Sequence, residues 1–376
     1  MGKKIYLDNN ASTPLDPLVM EEMIELLKSY TGNPSSIHSF GRALQHKLIV
    51  SRDIIANYLK VRPKEIVFTS GATEGMNMLL KGFFREQPRK HIISSNLEHS
   101  CVYNTLKFLE SQGASVTYLS PGKYGAAKLN EVQEALRPET GLIVLMSSNN
   151  ETGVKTDINA IASWAQNLQI PFIVDYVSSL GKEPLILHES VSAACFSGHK
   201  IHGPKGVGFT FIKKNIKFPS FIHGGGHENG LRAGTENISG IVGLAKAISL
   251  LSEVLPNCTN YMEKLRDYFE KELLTLLPDV FINGEGPRVC NTSNLAFLGL
   301  EGEVLLAKLD MDGIAVSHGS ACSSGALEPS RILLNMGVPI NLARSSVRFS
   351  FSRMTTIEEV SRALEVIIKI VRNLRR

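Results

Sequence analysis

Short runs of β-branched and aliphatic residues alternate along this chain with longer stretches whose apolar positions recur at helical spacing. Ile66-Val67-Phe68-Thr69 leads through a glycine turn into a helical pattern over Thr73 to Phe84, and His91-Ile92-Ile93-Ser94 precedes another that ends near Ser111. Leu142 to Met146 comes before the pattern of Ile158 to Leu168, and Phe172-Ile173-Val174-Asp175 follows. Such alternation predicts βα units around a mostly parallel sheet. Sheets of this kind bind ligands beyond the carboxyl ends of their strands. Thr73, His99, Asn150 and Asp175 all fall at or just past such ends. Leu255-Pro256-Asn257 reads as a break that closes the helical stretch from Ile238. Beyond it the pattern predicts a helix to Leu277, strands at Val280 to Ile282 and Asn294 to Leu298, and a last helix. That last helix is signalled by Thr355-Thr356 ahead of Glu358-Glu359, a capping box. The expected architecture is a large α/β domain followed by a smaller α+β domain, without internal repeats.

Composition narrows the class. A chain of 376 residues, 43% apolar and 20% charged, has the make-up of an ordinary globular protein with room for two domains. The net charge of +4 is small, and the basic residues are dispersed apart from Arg372, Arg375 and Arg376, so direct nucleic-acid binding is not expected. Five cysteines, an odd number without CxxC spacing, argue against a disulfide framework or a zinc site and fit a reducing compartment. The N-terminus lacks a signal-peptide core, Tyr6 breaks the myristoylation pattern, and no apolar run is expected to approach membrane-spanning length. The expectation is a cytoplasmic protein with no membrane contact.

Candidate chemistry centres on Lys200, in Ser197-Gly198-His199-Lys200-Ile201-His202-Gly203-Pro204-Lys205-Gly206. A lysine among imidazoles and another cation suits an amine that must lose its proton and form a Schiff base with an aldehyde such as pyridoxal phosphate. The same stretch also fits a basic surface turn. An enzyme of that type needs an acid for the pyridine nitrogen, donors for the phosphate and a ring against the cofactor. Asp175 suits the first role, or else a helix N-cap. Ser70-Gly71-Ala72-Thr73 offers free amides and a hydroxyl for an anion, or an ordinary tight turn. His99 offers a ring and a proton, or is a solvated loop histidine. His223-Gly224-Gly225-Gly226-His227 is too glycine-rich for a helical metal pair, and no metal is expected. It reads as a flexible loop, with Arg232 and Thr235 as anion contacts. Cys322 lies among small polar residues in a loop that can carry a thiolate, or is inert there. Arg348 alternates with apolar residues on a strand, able to clamp a carboxylate or to form an internal ion pair.

Together these segments resemble the cysteine desulfurases of the NifS/IscS type, in the class V branch of the fold-type I enzymes that use pyridoxal 5'-phosphate (PLP). The matching motifs run in order through Tyr6-Leu7-Asp8-Asn9-Asn10-Ala11, residues 32–36, 69–74, 149–153, 197–206 and 223–237, and the loop at 319–325. The resemblance implies residues 14–256 as the large PLP-binding domain, with 1–13 and 257–376 as the small domain. It implies that Lys200 holds PLP as a Schiff base, that Asp175 faces the pyridine nitrogen, and that His99 stacks on the ring and moves protons. Ala72, Thr73, Ser197 and His199 would hold the phosphate, with Thr235 arriving from the second subunit of a homodimer. Asn150 and Arg348 would bind the carboxylate of L-cysteine. Cys322 would take the sulfur as a persulfide, release alanine, and pass the sulfur to an iron–sulfur scaffold protein or a tRNA-thiolation acceptor.

Two departures stand out. The family usually reads Val-Asp-Ala-Val-Gln where this chain has Val174-Asp175-Tyr176-Val177-Ser178. Ser178 is too short to reach the phenolate oxygen of PLP as the glutamine does, and Tyr176 is expected to bring a bulky ring beside the cofactor. His318 puts an imidazole just before the cysteine loop, where it either lowers the Cys322 pKa or is solvated; solvation is the favoured expectation. Selenocysteine lyase or cysteine-sulfinate desulfinase activity, a plain class V aminotransferase, and a degenerate binding platform for sulfur-trafficking partners are the alternatives.

Overall fold

A computed structural model describes residues 4–214, 216, 219–319 and 328–375. Its main sheet has seven strands, in the spatial order Ile66–Thr69, Gly208–Ile212, Ala193–Ser197, Phe172–Asp175, Thr140–Met146, His91–Ser95 and Ser115–Leu119. Pairing is parallel except for Gly208–Ile212, which runs antiparallel to both neighbours. The strands are apolar on both faces because both faces are covered. Val67, Val144 and Ile173 enter one cluster with the helix Ala72–Glu86, while Phe68, Leu145 and Val174 enter another on the opposite side. Register then lines up the carboxyl ends: Met146 lies opposite Asp175, Asp175 opposite Cys195, and Gly208 opposite both Ser197 and Thr69. The expected α/β class, the mostly parallel sheet and the site at its carboxyl edge are all present.

A second layer is an antiparallel sheet of Ser346–Ser350, Thr292–Phe297 and Val280–Ile282. Leu295, Phe297, Val347 and Phe349 pack from it onto the helices Gly302–Met311 and Ile357–Leu374. Thr356 and Glu359 form the expected capping box. Near the N-terminus, Ile5–Tyr6 pairs in parallel with Ile314–Ala315, which brings Asp8 beside Ser350.

Two expectations fail. The helix does not stop at Pro256 but runs unbroken as Ile238–Leu276, 39 residues long. A proline inside a helix costs about 3 kcal/mol. Burial on both sides outweighs that, with Ile248, Leu251 and Met262 in the first core and Leu265, Phe269 and Leu273 in the second. The same helix is apolar enough over Ile238–Leu255, with mean hydropathy 1.7, to cross a membrane by composition. Its apolarity is instead that of a core helix, since Leu244, Ile248 and Leu251 are buried against the sheet's helical layer.

Candidate active site

A cavity of about 510 Å³ opens at the carboxyl edge of the sheet. Lys200, Asp175, His99, Asn150 and Arg348 line it, as do Ala72, Thr73, Ser178, Ser197 and His199. Ten of the predicted site residues therefore meet in one place. Thr235 does not line it. Cys322 lies outside the described residues.

Lys200 ends the single turn Gly198–Lys200 that follows the strand Ala193–Ser197. Its Nζ donates to the carbonyl of Asn10 and, at 3.1 Å, to that of Ala11. Beside it, burial and the cations Lys200 and Lys205 push His199 down to about 4, so the imidazole stays neutral. Asp175 ends its strand and is buried, which raises its pKa. Its Oδ1 accepts from the Val177 amide at 2.9 Å, an Asx turn and not a helix N-cap. That turn sends Tyr176 into the core, stacked on Phe196 with centroids 5.8 Å apart, and not beside the cavity as expected. Ser178 does line the cavity.

The anion cradle is built by backbone. Gly71 caps the helix Ala72–Glu86 without any side-chain cap, leaving the first amides free at the positive end of the helix dipole. Its φ of 153° is one that L side chains rarely adopt, and a Cβ there would lie 3.8 Å from the Ser197 hydroxyl. Arg232 is not a free anion contact, because its Nε donates to Glu74 at 2.9 Å.

His99 N-caps the helix Ser100–Ser111, its Nδ1 accepting from the Cys101 amide at 3.2 Å. A neutral ring with an accepting Nδ1 carries its proton on Nε2. Before it, Glu98 is 1% exposed, and neither carboxylate oxygen has a hydrogen-bond partner among the described residues. Burial, then repulsion from Asp175, raises its pKa well above the usual carboxylate range.

Arg348, 2% exposed, sits on Ser346–Ser350. Its Nη2 donates to Asp8 at 2.8 Å and its Nη1 to the Asn150 carbonyl at 3.0 Å. Among the described residues, the Arg348 Nε and the Asn150 Oδ1 are buried without hydrogen-bond partners. Both residues line the cavity, which sets a cationic and an amide side chain side by side there. The ion pair and the cavity position, posed as alternatives by the sequence, coexist here.

Over residues 5–363 the chain matches the class-V aminotransferase family. It is 42% identical to a cysteine desulfurase of a Nostoc species, over 99% of this chain and 94% of that protein. It is 41% identical to the cysteine desulfurase IscS of Dictyoglomus turgidum, over 100% of this chain and 96% of that one. A solved NifS-like protein superposes with a TM-score of 0.92 at 35% identity, covering 99% of this chain and 100% of that one. The chain belongs to the cysteine desulfurases of the class-V aminotransferase family. A further solved relative, described as SspA in complex with cysteine, has a TM-score of 0.82 at 33% identity, covering 94% and 100%.

Sequence reasoning missed several residues of this desulfurase site. The carbonyls of Asn10 and Ala11 hold Lys200, Asp8 holds Arg348, and Cys101 and Ser148 line the cavity. The motif at residues 6–11 was visible, but nothing local reveals its partners. His318 is half-buried, and its Nδ1 donates to the Ser346 carbonyl at 2.6 Å. A second cavity of about 270 Å³ lies across His99 and Asn150, which line both, and extends to Gly319 and Glu328.

Proposed function

We propose that this desulfurase uses PLP to convert L-cysteine to L-alanine, leaving a persulfide on Cys322 for a cytoplasmic sulfur acceptor such as an iron–sulfur scaffold protein. One observation carries the proposal: a lysine, a buried carboxyl, an uncapped helix N-terminus and an arginine anchored by Asp8 and Asn150 surround a single cavity. Those groups fit PLP. Lys200 would hold its aldehyde carbon, Asp175 its pyridine nitrogen, and the amides after Gly71, with Thr73 and Ser197, its phosphate. The cofactor supplies an electron sink for the substrate α-carbon.

The residues do the rest. Arg348 orients the substrate carboxylate through its remaining N–H groups, with Asn150 beside it. Lys200 takes the α-proton, and His99, with its proton on Nε2, moves protons at the sulfur and the leaving carbon. The Cys322 thiolate attacks the substrate sulfur. The carbon–sulfur bond breaks, the sulfur–sulfur bond forms, and the carbon is protonated to alanine, so cysteine plus thiol becomes alanine plus persulfide.

Thr235 is exposed on its own subunit, which supports a homodimer in which it serves the neighbouring cavity. Exposed apolar side chains at Leu27, Ile37 and Phe40 support the same assembly. The division at 14–256 against 1–13 with 257–376 belongs to this proposal.

Alanine released from L-cysteine by wild type and by Cys322→Ala tests the mechanism. Release by wild type and almost none by the variant supports persulfide chemistry. Equal release by both points to a lyase that does not use the loop.

A further inference from the structure

Both chain ends that flank residues 320–327 are fastened to the catalytic cavity. On the entry side, Ser317 exchanges two backbone hydrogen bonds with Arg348, at 3.2 and 2.7 Å, and His318 holds the Ser346 carbonyl. On the exit side, the Ser330 hydroxyl donates to the Glu151 carboxylate, next to Asn150. Arg331 follows. Its Nη1 donates to the Asn96 carbonyl at 2.5 Å and its Nη2 to the Glu98 carbonyl at 2.6 Å, with the guanidinium 4.4 Å from the Tyr103 ring centroid. Residues 96–98 run straight into His99, and Asn335 adds a bond to the same Asn96 carbonyl at 2.8 Å. The planar guanidinium sets a separate donor on each carbonyl while lying on the aromatic face, a geometry that a single ammonium reproduces poorly.

We propose that Arg331 is a positioning residue for sulfur transfer, locking the exit of the Cys322 segment to the turn that carries His99. The inference rests on the reading that Cys322 receives the sulfur. His99 has its own hold as a helix N-cap, so Arg331 governs the nucleophile's approach and not the imidazole's orientation. The apolar contacts of Leu97 with Ile332, Leu333 and Met336 keep the segment folded without it.

The test uses PLP-loaded enzyme mixed rapidly with L-cysteine, comparing wild type with Arg331→Lys and Arg331→Met. Two signals are followed: the cofactor absorbance change on substrate binding, and Cys322 persulfide, trapped by alkylation and weighed by mass spectrometry. Expected is an unchanged absorbance step with persulfide formation slowed on the order of tenfold to a hundredfold, the scale of a small misplacement of a reacting group. The methionine variant should be slower than the lysine one. Persulfide rates within twofold of wild type in both variants would overturn the proposal. An absorbance step slowed in equal proportion would also overturn it, because Arg331 would then act on the whole site. Wild type that binds cysteine yet never carries persulfide on Cys322 would remove the functional reading and this inference together.

Discussion

Arg348 offers the sharpest test of substrate recognition. One N–H on Nη1 is used by Asn150 and one on Nη2 by Asp8, which leaves the second N–H of each for a carboxylate. Charge-assisted bonds of this kind contribute about 1.5–3 kcal/mol each. Arg348→Ala is a poor probe, because it strips a largely buried Asp8 of its countercharge, a change that costs about 3–5 kcal/mol in folding. Arg348→Lys keeps the charge beside Asp8 but forfeits the fork. Losing one substrate bond should therefore lower kcat/KM for L-cysteine by about 10- to 100-fold, at about 1.4 kcal/mol per factor of ten. The control is cysteamine, cysteine without its carboxylate. On that substrate the variant and wild type should differ by less than about threefold, well under the 1.4 kcal/mol that one decade represents. Equal losses on both substrates would refute the reasoning, since the arginine would then be acting through the fold alone.

Three further outcomes are expected. Burial raises the Glu98 pKa well above the usual range, so above about pH 4.3 the unfolded chain releases a proton that the fold retains longer, and stability is lost as pH rises. Glu98→Gln should flatten that decline in urea midpoints measured between about pH 5 and 8; identical slopes would contradict it. His202 is depressed to about 4 by burial, Lys182 and Arg353, so its stabilising contribution is present above about 6.5 and lost as pH falls towards 4. His202→Asn, which tolerates the residue's φ of 63°, should lose less stability over that window than wild type does. Ser178→Gln should restore a donor at the cavity wall and lower the pH at which bound PLP changes its absorbance; an unmoved transition would show that the side chain does not reach the cofactor.

The main sheet was legible because its strands are apolar runs bounded by breakers. Ile66–Thr69 and Phe172–Asp175 appear residue for residue as expected. Once the strands are known, placing Thr73, His99 and Asp175 at one edge follows from topology. Long-range partnerships were not legible. Arg331 meets Asn96 and Glu98 across more than two hundred residues, and Arg348 meets Asp8 across more than three hundred. No local pattern encodes such pairs. Side-chain direction after Asp175 was also hidden, because the Asx turn and not strand alternation decides that Tyr176 points inward. At Pro256 the local breaker rule gave the wrong boundary, since burial on both flanks outweighs the lost hydrogen bond.

That continuous helix binds the fate of the two layers. At 1.5 Å per residue it is a rod of about 58 Å, rooted in the first core at one end and in the second at the other. The layers cannot be separated by scissors at residue 256 without leaving each with a severed stump and a bare apolar strip. Heating should accordingly give one cooperative melting transition instead of two, and a fragment beginning at residue 257 should aggregate when expressed without its other half.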